Sequence, residues 1–394
     1  MPFARKSVKQ RYSPTPDVMD LMEDFRAMAN DSIRKGLETG ASSLKRLSVV
    51  NYGDLSKRYH SIPSYYRLTA ISKAAGILAA RKKSIRRGVQ TKDPYLKKRL
   101  LVSCYHFKIE GDYLAFSLCK ANKVKIGLTK HTLESIKGLE VRSFTLTPTS
   151  VSLTVRKNIE LYYPKSFLGI DRNASNVTCG NQHHMVQFNL KKVEQIAKTT
   201  KEIVRSLKRN DVRVRKILSS KYGTRRRERV RHILHVVSKN IVENAKRDQE
   251  AIVFEDIKDI RNLYKKGNCH GRNFRGRMNS VPWFEIKRQV EYKAAWEGVP
   301  IIQLTKSETR GTSKRCPACG ERLQEDRARK RQLWCEKCKK WSDRDVVAVM
   351  NISYRGWLRF SQSKGEAREA MVQEPRNEGV LLQVDASKLM SSVF

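Results

Sequence analysis

The feature that most constrains this chain is the spacing of four cysteines: Cys316 and Cys319, fifteen residues, then Cys335 and Cys338. Each C-x-x-C turn bends two thiolates toward one point, and two such turns close a tetrahedron around a zinc ion. Four sulfurs fill the shell, so the zinc is expected to be structural. Metal binding of this kind supplies on the order of 10 kcal/mol of local folding free energy. A ribbon alone has no use for the acids that follow at once, Asp343 and Asp345. The other cysteines, Cys104, Cys119, Cys179 and Cys269, are scattered and read as isolated thiols.

Charge narrows the partner. Lys and Arg number 81 against 39 acidic residues, a net charge of +42 over 394 residues. A field of that size repels itself unless a polyanion neutralises it, and nucleic acid does so with release of counterions. No apolar run is long enough to cross a bilayer, and the start, "MPFARKSVKQRYSPTP", has no apolar signal core. The expectation is a cytoplasmic chain with no membrane partner.

The element pattern changes along the chain. Residues 13–94 have helical spacing, as in Val18, Leu21, Met22, Phe25 and Met28. Residues 95–165 alternate in short strands, with a hairpin around Glu110, Gly111 and Asp112. Together with a strand from residues 1–12 they suggest a small β-barrel, into which 13–94 is a helical insertion. From residue 166 come three short strands (about 167–172, 175–180 and 184–190) and a long basic helical stretch to 248. A strand at 251–256, a helix, a strand at 299–304 and a final helix complete the order. It suggests an RNase H-like sheet over 166–305 and 342–360, with the cysteine segment, 306–341, inserted before the last helix. The tail, 361–394, reads as largely disordered from composition. The fold class is therefore multidomain α+β and α/β: an N-terminal β-barrel with a helical insertion, then an RNase H-like domain with a zinc ribbon.

In such a sheet Asp171 ends the first strand, Glu255 ends the fourth, and Asp345 opens the last helix. Taken singly, each has an ordinary structural explanation: a turn aspartate, a strand-end acid, a carboxylate favoured by a helix N-terminus. Brought together they form a hard-oxygen site for two Mg²⁺ ions, which can activate a water and stabilise the leaving oxygen in phosphodiester hydrolysis. Strand alternation turns Asp256 away if Glu255 faces the cleft.

The segments "LGID", "IVFED", "TSKRCPACG…CEKC" and "DRD…NI", in this order and with "YKAAWEG" ahead of the fifth strand, resemble the TnpB (OrfB) proteins of insertion sequences. The likeness covers roughly residues 165–355. It implies a RuvC-like nuclease, RNA-guided and related to type V CRISPR effectors, with the barrel as the family's wedge domain. It implies Asp171, Glu255 and Asp345 as the three RuvC acids, Asp345 being preferred to Asp343 by the family's spacing. The cysteines correspond to the family's zinc-binding insertion. The implied cofactors are structural Zn, two catalytic Mg ions and a guide RNA made from the element's end. The implied target is double-stranded DNA with a short flanking motif, in a prokaryotic, nucleoid-associated setting. A separate transposase of the element is a further partner left open. Two departures stand out: Val347 and Ala348 where the family commonly has Asn-Ala, with Asn351 further on, and "RNASN" after Asp171 where it commonly has Leu-Gly.

In such a protein base pairing reads the target and the protein grips backbone. Candidate contacts are Lys73, Arg81, Lys82, Lys83, Arg86 and Arg87 on one basic helix, with Tyr65 and Tyr66 as stacking or packing residues. The leading expectation is an RNA-guided, Mg-dependent DNA endonuclease. The alternatives are a catalytically weak or inactive RNA-guided repressor, and a guide-independent zinc-ribbon binder that would leave Asp171 and Glu255 unexplained.

Overall fold

The structure is a computed structural model that describes residues 3–119, 122–207 and 211–363, and the backbone of 381–385. Two compact units divide it after Asn158.

The first unit opens with strand β1 (Phe3–Arg11) and three helices, α1 (Pro16–Thr39), α2 (Leu44–Arg58) and α3 (Ser64–Arg86). The apolar stripe of α1 is buried as its spacing predicts, from Val18 through Phe25 to Ile33. Strands β2 (Leu101–Ser103), β3 (Phe107–Glu110), β4 (Tyr113–Ser117) and β5 (Lys123–Gly127) follow, then helix α4 (Lys130–Ile136) and strands β6 (Glu140–Thr147) and β7 (Ser150–Asn158). β1 pairs along its whole length with β7, from Phe3 opposite Asn158 to Arg11 opposite Ser150. The expected barrel is instead two hydrogen-bonded sheets, β1-β7-β6-β2 and β3-β4-β5. They are tied by Phe116 against Phe144, ring centroids 5.1 Å apart, and by Gln10 donating to the Gly127 carbonyl at 2.8 Å. The all-strand reading of this stretch also missed α4, which Thr129 caps through the Thr132 N–H.

The second unit contains β8 (Ser166–Arg172), β9 (Asn176–Gly180) and β10 (Met185–Asn189), then α5 (Lys191–Ser206), α6 (Val212–Arg247) and β11 (Glu250–Phe254). After them come α7 (Arg272–Met278), α8 (Glu285–Glu297), β12 (Ile301–Gln303) and α9 (Lys306–Thr309). The cysteine segment forms β13 (Gln324–Glu325), β14 (Gln332–Cys335) and β15 (Lys340–Asp343), so its sheet runs two residues beyond the expected end of the ribbon. Helix α10 (Arg344–Ser363) and strand β16 (Leu381–Asp385) complete the unit. β16, five residues of the tail, pairs parallel to β10 at the sheet edge. The rest of the tail, from 364 to 380 and from 386 on, lies outside the described residues.

The main sheet has the order β12-β11-β8-β9-β10-β16, with β8, β9 and β10 antiparallel and β11 and β12 parallel to β8. Both faces of its centre are covered, which is why β8 and β11 are nearly continuous apolar runs. Leu168, Ile170, Ile252 and Phe254 pack on one side with α6 and α8 residues such as Leu234, Ile241 and Val290. Phe167, Ala251 and Val253 pack on the other with Ile352 of α10.

Helix α10 lies directly on β8 because Gly169 has no side chain. A Cβ there would stand 2.4 Å from the Val349 oxygen and 2.8 Å from the Ser353 nitrogen. The Ser353 hydroxyl donates to the Phe167 carbonyl at 2.6 Å. Four helical residues rise about 6 Å and two strand residues about 6.6 Å, so the two repeats stay in step. Ser353 lies at Phe167 and Val349 at Gly169; the next step brings Asp345 to Asp171.

Candidate active site and metal centre

That step assembles an acidic cluster at the C-terminal ends of β8 and β11. Asp171 shares the face of Gly169 on β8; Glu255 lies one residue past β11; Asp345 lies in the first turn of α10. Glu255 is 9% exposed and Asp345 is 2% exposed. Burial pushes the Asp171 carboxyl well above the usual carboxylate range, and the charges of Glu255 and Asp345 add to it. Burial raises Glu255 as well, opposed by the Arg172 guanidinium. Asn173 Nδ2 donates to Asp171 Oδ2 at 2.7 Å and to Asp345 Oδ1 at 3.0 Å, so those two carboxylates lie within the span of two hydrogen bonds. The trio is not closed: no choice of one oxygen from each brings all three within 4.8 Å of one another.

The surrounding groups were not singled out from the sequence. Gln187 of β10 and Asn176 of β9 reach Asp345 Oδ2 at 3.0 and 3.4 Å. Arg172, on the opposite face of β8 from Asp171, donates to the Glu255 carbonyl at 2.9 Å, with its Nε 3.8 Å from the Glu255 carboxylate. Arg331, from the ribbon turn before β14, pairs with Asp345 Oδ1. The departure "RNASN" had flagged Asn173 and Asn176 only as unusual. The two rejected acids have other work. Asp343 Oδ1 accepts the N–H groups of Asp345 at 2.8 Å and Val346 at 3.3 Å, capping α10. Asp256 accepts the Lys258 N–H at 3.0 Å in a local turn.

The ribbon thiols fit a single zinc ion. One sulfur from each of the four cysteines lies within 4.8 Å of all the others, with Cys316 and Cys338 Sγ 3.8 Å apart. Four bonds of about 2.3 Å to one centre place the sulfurs about 3.8 Å apart. In each knuckle the residue after the second cysteine is left-handed: Gly320 at φ 75° and Lys339 at φ 51°. Asn351 Nδ2 donates to the carbonyls of Thr312 at 2.7 Å and Arg315 at 2.8 Å. Val347 packs among Cys316, Leu323, Leu333 and Cys335. Val347, which departs from the family pattern, and Asn351 thus fasten the ribbon to α10. Trp341 is half-buried, between Trp334 and Arg329.

The acid cluster offers hard oxygen donors, although its three carboxylates do not close on one point. Its ligating groups are all carboxylates, two of them held away from their ordinary titration by burial, a donor set that suits Mg²⁺. A cleft of about 710 Å³, lined by Tyr163, Asn181, Arg315, Met350, Trp357 and others, contains none of the three acids.

The candidate nucleic-acid contacts divide. Tyr66 is fully buried and its hydroxyl donates to the Ser117 carbonyl at 2.8 Å, so it is a core residue and no stacking platform. Tyr65 stacks on His106 with centroids 4.7 Å apart. Arg81 is paired with Asp93 at 2.7 Å. Lys73, Lys82, Lys83, Arg86 and Arg87 are exposed along α3 and its C-terminal end. No helix among the described residues is long and apolar enough to cross a membrane.

A family model for the Cas12f1-like TNB domain matches residues 283–352. TnpB-like protein MJ0751 of Methanocaldococcus jannaschii is 29% identical over 266 residues, 62% of this chain and 91% of that protein. The "Putative RNA-guided DNA endonuclease InsQ" of Escherichia coli K12 is 26% identical over 209 residues, 48% of this chain and 49% of that protein. A Cas12f1 chain, solved by cryo-electron microscopy in complex with sgRNA and target DNA, superposes with a TM-score of 0.55. It is 12% identical, over 86% of this chain and 83% of that one, and the likeness is one of fold. The motif order, the TNB match and the two relatives agree: over its second half the chain is similar to TnpB-type proteins.

Proposed function

We propose that the chain is an RNA-guided DNA endonuclease of a transposable element, cutting phosphodiesters at a RuvC-type site made by Asp171, Glu255 and Asp345. The observation that carries this is the approach of three acids, from β8, the end of β11 and the start of α10, with Glu255 and Asp345 close enough for their charges to act on Asp171. The sheet order supports an RNase H-like domain, and the names of the relatives support guidance and DNA cleavage. When bound, a pair of Mg²⁺ ions supplies an activated water and stabilises the leaving oxygen. The chain's own residues prepare that site. Asn173 and Gln187 orient Asp345, while Arg172 fixes the backbone at Glu255.

The partners on this reading are a guide RNA and a double-stranded DNA bearing a short flanking motif. Pairing with the guide reads the sequence, and exposed cations such as Lys82, Lys83, Arg86 and Arg87 hold backbone. Zinc stabilises the ribbon. The test combines the protein and its copurifying RNA with a plasmid library randomised beside the target. Cleavage in Mg²⁺ that disappears with Asp171→Ala supports the reading; guided binding with intact plasmid at every flank overturns it.

One observation favours the guided but non-cutting reading: Arg331 pairs with a carboxylate oxygen of Asp345. If that pair persists in the complex with DNA, divalent ions at saturating concentration leave the target uncut.

A further inference from the structure

The other end of the same strands gathers a second set of donors. Glu250 begins β11 and pairs in register with Ser166 at the start of β8, whereas Asp171 and Glu255 stand at the far ends of these strands. The Glu250 side chain is 1% exposed. Its Oε1 accepts from Asn181 Nδ2 at 2.6 Å and Ser166 Oγ at 3.0 Å. Its Oε2 is buried with no hydrogen-bond partner. His184 Nε2, itself without a hydrogen-bond partner, lies 3.5 Å from that oxygen. Asp248, at the C-terminal cap of α6 two residues before Glu250, completes the group: one donor atom from each residue lies within 4.8 Å of the other two.

A buried carboxylate oxygen without a donor is costly, and more so when ionised. Here the missing partner is electropositive, and an imidazole nitrogen and a second carboxylate already face the same point. We propose that His184, Asp248 and Glu250 bind one divalent transition-metal ion of the Zn²⁺ or Mn²⁺ class. One nitrogen with two carboxylate oxygens suits these borderline ions; Mg²⁺ prefers oxygen alone, and soft ions prefer thiolates.

The surroundings match a ligand set. Asn181 holds Glu250 with its amide nitrogen, and its oxygen accepts the N–H groups of His183 at 2.8 Å and His184 at 3.2 Å. One side chain thereby orients two ligands, as residues behind metal ligands commonly do. Asp248 is held by Arg247 through two bonds of 2.9 Å, but Arg247 is largely exposed and such surface pairs are weak. Ser166 and Asn181 also line the 710 Å³ cleft, which gives an ion a route in. The ion would pin the β9–β10 hairpin to the turn between α6 and β11. The inference does not depend on the nuclease reading.

The test uses full-length, zinc-loaded protein carrying Asp171→Asn, Glu255→Gln and Asp345→Asn, so that the acid cluster does not compete. Co²⁺ is titrated and followed by visible absorbance and equilibrium dialysis. The expected result is one further equivalent of Co²⁺ per chain without thiolate charge-transfer bands. Its affinity falls at least about tenfold in His184→Ala and in Asp248→Asn, both near the surface and expected to fold. Metal should raise the melting temperature of the parent and of neither variant. No extra equivalent overturns the proposal, as does binding unchanged by both substitutions. A loss of stability in His184→Ala that is the same with and without metal would mean an ion pair only, and overturns it too.

Discussion

The ribbon thiols and the three acids of the proposed site are two clusters built by opposite routes. The thiols come from 23 consecutive residues, and their turns aim them at one point before any long-range packing. The acids come from three elements up to 174 positions apart and meet only because α10 is pressed onto β8. A local cluster is carried by its metal; a distributed one is carried by its fold and keeps mutual repulsion as a cost of function. The two are joined, since Asn351 and Val347 hold the ribbon to α10, and Arg331 of the ribbon touches Asp345.

The largest effect that could break this contrast is zinc removal. Chelation, or Cys335→Ser, should unfold the ribbon, a local loss on the order of 10 kcal/mol. Hydrogen exchange should then rise steeply over 312–343 and more mildly in the first turns of α10, while β8 and β11 stay protected. If all exchange together, the ribbon is no separate unit. Next comes the acid cluster. Asp171→Asn should abolish plasmid cleavage, a larger loss than the roughly 10–100-fold expected for Asn173→Ala, which removes only an orienting group. The same Asp171→Asn should raise the thermal midpoint in metal-free buffer. Burial and like charges lift the folded pKa of Asp171, so its contribution is present at low pH and is lost as pH rises through the folded value. The asparagine removes that slope. Calorimetry from acid to neutral pH checks both signs.

A smaller effect sharpens the link between the clusters. Arg331→Ala frees Asp345, and Mn²⁺ affinity at the acids should rise by up to about fivefold, the worth of a half-exposed ion pair. Titration by electron paramagnetic resonance reads it; unchanged affinity would mean the guanidinium does not compete. The smallest effect is Lys339→Gly. Relief of a left-handed non-glycine position should stabilise the zinc-loaded ribbon by about 1 kcal/mol, read by resistance to chelator.

Legibility in the sequence follows the same divide. The cysteine spacing is a short-range signal and needed no fold. The strands of the second unit were legible because burial on both faces leaves apolar runs such as "AIVF" and "FLGI". Asp171, Glu255 and Asp345 could be named only through an assumed topology and the family resemblance, since nothing near any one of them refers to the others. Asn173, Gln187 and Arg331 were beyond reach: their contacts with Asp345 depend on side-chain geometry across 172, 158 and 14 positions. Tyr66 is left open between stacking and packing by the sequence although a signal exists, for it falls in phase with the buried Ala70 and Ala74 at four-residue steps. The separate sheets and α4 of the first unit were missed because short alternating strands fit many pairings, and a seven-residue helix is outweighed by its neighbours. His184, Asp248 and Glu250 carried no spacing that any common metal motif uses.

The matched repeats of α10 and β8 have a consequence for what this chain can tolerate. Each residue of a helix turns its side chain by about 100° relative to the last. One residue inserted between Val346 and Ala348 would leave Val349, Ser353 and everything downstream seated on the strand, yet swing Asp345 a quarter-turn off its bearing. The spacing between that carboxylate and Val349, which sits at Gly169, is therefore as strictly fixed as the carboxylate itself, and an insertion there should silence the proposed site without melting the protein.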